Sequence, residues 1–198
     1  MRIAPSRKRR SIGRKAVVAA LAMAALAPAG AQAATESSVG ASANFTGGAL
    51  SITAPEAAVN FGNTNLDGRA SYNLVGGISD WKINDATGTL AGWTASASAS
   101  FPKAADTGVE LDTASMSMHV PGAIGSGPAP TIATGDVNGM VGLTGQMGTP
   151  LVTAAAEKGV GAWDMTQTET GDMRLVMPYN TRAVQYDSTI TFTIAQGV

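Results

Sequence analysis

There is no cysteine in the 198 residues. That excludes a disulfide framework, a thiol nucleophile, a cysteine-based zinc site and a lipidated N-terminal cysteine. Histidine is nearly as scarce, His119 being the single one. It falls on the polar side of an alternating stretch, with Ser115, Ser117 and His119 set against Met116, Met118 and Val120. It therefore reads as a solvated side chain and not as the base of a nucleophilic triad. The Gly-x-Ser-x-Gly elbow is missing as well, since Gly125-Ser126-Gly127 lacks the flanking residues. With three Trp, three Tyr and four Phe, no aromatic-rich stretch brackets a carboxylate pair as a glycosidase cleft would require. Charged residues make up 14% of the chain, whereas long helices would want more Glu, Lys, Leu and Arg. What is abundant is glycine, at 24 residues, together with Ser, Thr and Ala. That is the composition of many short strands joined by turns.

The first 33 residues stand apart. Arg7 to Arg10, Arg14 and Lys15 form a cationic head, and Ala16 to Ala27 is an uncharged apolar run. Pro28 and Gly30 then break the run, and Ala31-Gln32-Ala33 is a small-x-small cleavage site. The order of parts is that of a secretory signal peptide. A bilayer span needs about 20 apolar residues, more than this run supplies. Arg9-Arg10 leaves both Sec and twin-arginine export open. Residues 34–43 are small and polar, a flexible lead-in, and 44–198 form one domain. After cleavage six basic and 14 acidic groups remain, a net charge near −8. Such a chain is repelled by nucleic acid and by anionic headgroups, so neither nucleic acid nor stable membrane insertion is expected. No hydrophobic tail or basic stop-transfer cluster follows the last strand pattern, so no anchor of that kind is expected.

Gly92 to Phe101 carries the clearest pattern in the domain. Trp93, Ala95, Ala97, Ala99 and Phe101 alternate with Thr94, Ser96, Ser98 and Ser100. Period-two alternation predicts a strand with one face on a core and one in water. The three alanines leave room for a bulky group or another backbone to approach. Further strands are expected at Ala49–Thr53, Val59–Phe61, Ser71–Val75, Trp81–Ile83, Met116–Val120, Val137–Leu143, Leu151–Ala155, Ala162–Thr166, Met173–Met177 and Thr189–Ile194. Residues 121–130 read as a long loop, and Glu157-Lys158-Gly159 as at most one helical turn. About ten short strands without a convincing helix predict an all-β fold, a β-sandwich or barrel with Greek-key type connections.

Two acidic groups offer candidate calcium ligands, Asp136 with Asn138, and Asp164 with Glu169 and Asp172. Neither has an alternating ligand series, and each reads better as turn caps. No metal and no cofactor is expected. Among the aromatics, Trp81, Trp93 and Phe192 lie in phase with apolar neighbours and read as core. Trp163 and Tyr179 are left as candidates for contact with a glycan or a protein partner.

Taken together, these segments resemble the WxL domain of Gram-positive surface proteins. Trp81-Lys82-Ile83-Asn84-Asp85 followed by Gly92-Trp93-Thr94-Ala95 is similar to the family's V-x-D…G-W-x-L stretch. Leu151 to Ala156 with Gly159 to Trp163 is similar to its L-x-A-A-x-G-x-G segment. Met173 to Pro178 and Tyr186 to Ile194 resemble its L-x-V-P…Y-x-S-T-L-T-W-x-L end. Ala95 stands where the first signature has Leu, and Phe192 and Ile194 stand where the second has Trp and Leu. The signature positions Trp93, Ala95, Phe192 and Ile194 all keep apolar, inward character. The resemblance implies a secreted, non-enzymatic, cell-wall-associated protein that binds peptidoglycan non-covalently. The alternative is a structural or adhesive subunit that binds other surface proteins.

Overall fold

Alternation decides where the strands fall, and the computed structural model, which describes residues 40, 42–145, 147–167 and 171–197, shows it in the burial. The signal peptide 1–33 lies outside the described residues, as do most of the lead-in 34–43 and Glu169. The chain divides into the units Met1–Ala43 and Asn44–Val198, and the fourteen strands found among the described residues all belong to the second. Among the described residues there is no helix, hence none long and apolar enough to cross a membrane.

In chain order the strands are β1 (Leu50–Thr53), β2 (Ser71–Gly76), β3 (Trp81–Asp85), β4 (Trp93–Ala99), β5 (Lys103–Ala104), β6 (Ser115–His119) and β7 (Gly122–Gly125). There follow β8 (Thr131–Ile132), β9 (Met140–Gly142), β10 (Thr149–Ala154), β11 (Gly161–Thr166), β12 (Met173–Pro178), β13 (Tyr186–Asp187) and β14 (Ile190–Gln196). Three four-stranded sheets run β1-β3-β11-β7, β14-β4-β10-β8 and β2-β12-β6-β9, with β13-β5 as a small ribbon. The named strand pairs are all antiparallel, and nearly all join strands far apart in sequence. The chain therefore crosses between sheets at most connections. This is an all-β sandwich and not a closed barrel, so the barrel alternative falls.

β4 sits inside its sheet, hydrogen-bonded to β14 on one side and β10 on the other. Trp93, Ala95, Ala97 and Ala99 are buried, as their alternation requires. Thr94, Ser96 and Ser98 are half-buried and not open to water, because both flanks of the strand are occupied. β10 shifts register between Pro150 and Val152. Proline has no N–H to give the ladder, and the bulge there lets two successive residues, Leu151 and Val152, both reach the core. The core itself gathers Trp81, Ile83, Trp93, Met118, Leu143, Leu151, Met165 and Met173 around the β4 alanines.

Three expected elements differ. Val59–Phe61 is not a strand. It lies against the end of β2, where a Cβ on Gly76 would stand 2.9 Å from Val59 Cγ1 and 3.0 Å from the Asn60 carbonyl. Its alternation reflects docking of Val59 and Phe61 on the core without ladder pairing. The stretch 121–130 is not all loop, since Gly122–Gly125 forms β7 beside β11. Glycine at 125 marks a close approach and not a chain break, for a Cβ there would lie 2.6 Å from the Trp163 ring. The strand expected at Val137 begins only at Met140, because Gly139 N–H donates to the Asp136 carbonyl at 2.8 Å and closes a turn.

Candidate functional site

The two signature segments, roughly a hundred residues apart, are hydrogen-bonded neighbours. β4 pairs with β14 so that Ala95 faces Ile194 and Ala97 faces Phe192. Small residues on β4 stand beside large ones on β14, and such cross-strand pairs are the unit of sheet stabilisation. Phe192 reaches across to Trp81 of β3, with ring centroids 5.2 Å apart and planes tilted by 47°. Trp93 is 0% exposed, and its indole Nε1 donates to the Gly159 carbonyl at 3.0 Å. Phe192 and Ile194 are half-buried.

Of the two contact candidates, the structure keeps one at the surface. Trp163 is 2% exposed, lies over Gly125, and donates its Nε1–H to the Val160 carbonyl at 3.3 Å. A ring so covered offers no face for a sugar to stack on, which corrects the reading of Trp163 as a contact residue. Its sequence context of Gly161 and Asp164 concealed an ordinary inward position on β11. Tyr179 is 76% exposed at the turn after β12, where Thr181 donates through Oγ1 to the Pro178 carbonyl at 2.6 Å.

The polar groups do structural work. Asp136 Oδ1 accepts the Met140 N–H at 3.0 Å and the Asn138 N–H at 2.8 Å. These two amides, Met140 first, hold its carboxyl below the ordinary carboxylate range. Asp164 pairs with Lys82 at 3.2 Å, both ends well exposed, an arrangement worth little to stability. Buried Asp85 accepts from Thr87 N at 3.1 Å and Thr87 Oγ1 at 2.7 Å, capping the end of β3. His119 is half-buried beside Gly139. Among the described residues no cluster of three metal-ligating side chains occurs.

Concavity is found elsewhere, on either side of the irregular segment that follows β1. One groove of about 450 Å³ lies between residues 54–61 and residues 186–192, floored by Met116, Leu175 and Phe192. A second, of about 480 Å³, is lined by Thr53, Ala54, Glu56, Ile78, Asp80, Trp81, Lys82 and Gln167. The two share Ala54, Glu56 and Ile78. Sequence reasoning missed both. In the sequence, Ala54-Pro55-Glu56 carries no more than a turn pattern, and Trp81 reads as core, which is true of its ring but says nothing of its indole N–H.

Residues 28–197 match the family model of the WxL domain, described as surface cell wall-binding. No curated protein and no solved structure matches the chain.

Proposed function

The chain belongs to the WxL family of surface cell wall-binding domains, and from that premise we propose that it is secreted, non-catalytic, and holds peptidoglycan without a covalent bond. The observation that carries the reading is the family match, which spans residues 28–197 and so takes in every strand of the sandwich. The burial of Trp93 and Trp163 supports a contact surface built from exposed groups and from the grooves beside residues 54–61 in place of the family-signature tryptophan. Secretion rests on the cationic head, the short apolar run and Ala31-Gln32-Ala33.

Co-sedimentation of the purified protein with protein-free cell walls tests the binding. The protein should pellet with walls and stay in solution without them; failure to pellet removes the wall reading. Tyr179→Ala serves as the surface variant. With its ring already in water, the unfolding free energy should change by no more than about 0.5 kcal/mol while wall retention falls. An unchanged pellet would take Tyr179 out of the contact. Intact mass of the protein recovered from its native source tests export: the expected chain starts at Ala34, and one still carrying Arg9 and Arg10 would contradict it.

Sheet edges support a second reading. Val75 on β2 and Ile124 on β7 are 62% and 64% exposed, each on the outer strand of its sheet. Exposed aliphatics on open edges suit docking of another protein. Loss of wall binding with retained binding to a surface protein would favour it.

A further inference from the structure

The protein has three tryptophans, and it treats their indole N–H groups differently. Those of Trp93 and Trp163 each donate to a backbone carbonyl. Among the described residues, Trp81 Nε1 and Gln167 Nε2 are the buried side-chain nitrogens without a hydrogen-bond partner. Trp81 is 1% exposed and Gln167 half-buried, and both line the same groove of about 480 Å³. Buried donors are almost always satisfied, because an orphan forfeits its hydration with no return. Two orphans on one groove call for an acceptor that can serve both. A carbonyl oxygen, with two lone pairs, is such a group.

The rest of the lining narrows the choice. Asp80 lines the same groove as the two donors, its Oδ1 accepting the Gln167 backbone N–H at 2.9 Å. A carboxylate next to paired donors complements a secondary amide, whose N–H it would accept. Ala54 and Ile78 add an apolar wall that fits a methyl group. Glu56 and Asp80 give the rim negative charge, while the Lys82 ammonium is engaged by Asp164 at 3.2 Å. That balance disfavours a peptide bearing free carboxylates and favours a neutral ligand.

We propose that this groove binds the acetamido group of an N-acetylated amino sugar in a wall glycan. Its carbonyl oxygen accepts from Trp81 Nε1 and Gln167 Nε2, its N–H donates to the Asp80 carboxylate, and its methyl meets Ile78. Both donors lie beneath the groove surface, so the half-buried Gln167 side chain moves as the sugar enters. The proposal rests on the cell-wall reading and names the chemical group that this site recognises.

The test is titration of triacetylchitotriose into the ¹⁵N-labelled full-length protein, following the three indole N–H resonances. The Trp81 resonance should move downfield and saturate, while those of Trp93 and Trp163, already bonded, stay in place. Cellotriose, which carries hydroxyls in place of the acetamido groups, should leave all three unmoved. Trp81→Phe keeps an aromatic ring against Phe192 but removes the donor. It should weaken triacetylchitotriose binding about five- to tenfold, as should Gln167→Ala, each read from the backbone amide resonances of the groove residues Ile78, Ser79 and Lys82 in the same spectra. The inference is overturned if the Trp81 resonance does not respond to triacetylchitotriose, if cellotriose moves it equally, or if a stem peptide without sugar moves it instead. It is also overturned if Trp81→Phe binds as tightly as the parent. Sedimentation with walls is scored separately. A protein that pellets while Trp81 stays silent has lost only this site, and one that responds at Trp81 without pellet formation has lost only the wall reading.

Discussion

Trp93→Ala is expected to lower the unfolding free energy by about 3–5 kcal/mol, the usual cost of truncating a buried large aromatic. A domain of this size has about 5–15 kcal/mol in all, so the variant should show a much reduced denaturant midpoint or fail to fold. The cost has two physical parts. The ring is 0% exposed at the end of the β4 alanine row, so its loss opens a cavity that the backbone around it cannot collapse into. Its Nε1–H also satisfies the Gly159 carbonyl, which would be stranded. Urea unfolding checks this, read beside wall sedimentation. A fully stable Trp93→Ala protein that no longer pellets would place the indole on the binding surface and defeat the core assignment.

Gly159→Ala should cost nearly as much, although it adds a single methyl group. Gly159 has φ 69°, the left-handed region that side chains disfavour by about 1–2 kcal/mol. A Cβ there would meet Ala154 Cβ and stand 2.8 Å from the Trp93 ring. Overpacking of that kind adds about 1–3 kcal/mol, for a total of about 2–5 kcal/mol. The two substitutions should not be additive. With the Trp93 ring gone, the methyl group regains part of its space, and the double variant should lose less than the sum. Denaturant midpoints on the four proteins of the cycle decide it. A Gly159→Ala loss of under about 1 kcal/mol, or strict additivity, would mean that the loop does not press on the ring.

These two residues also show what could be read from the sequence and what could not. Trp93 declares its inward face through the nine residues of strict alternation from Trp93 to Phe101, a local signal that needs no partner to interpret. Gly159 reads only as a turn residue, because the Trp93 ring it presses on lies far along the chain. The same division runs through the molecule. β4, β12 and β14 are visible as patterns, while β7 reads as loop because its glycines signal close approach and chain reversal equally well. Val59–Phe61 alternates like a strand but docks without pairing. At the candidate site, Tyr179 stands between the turn residues Pro178 and Asn180, a local pattern in keeping with its exposure. The orphan donor of Trp81 was invisible, since periodicity reports where a ring points and never whether its N–H has found an acceptor.

The pairing of β4 with β14 also has a consequence in time. Trp93 lies opposite Gln196 and Ala99 opposite Ile190, so the strand at the middle of the sheet lacks one neighbour until residues 190–196 have been made. Contacts of such long sequence separation are slow to form, since the entropy of closing the intervening loop must be overcome first. A chain emerging from the ribosome therefore cannot complete this sheet early. Until residues 190–196 are present the central strand keeps one unpaired side, so the last segment synthesised is the one that closes this sheet.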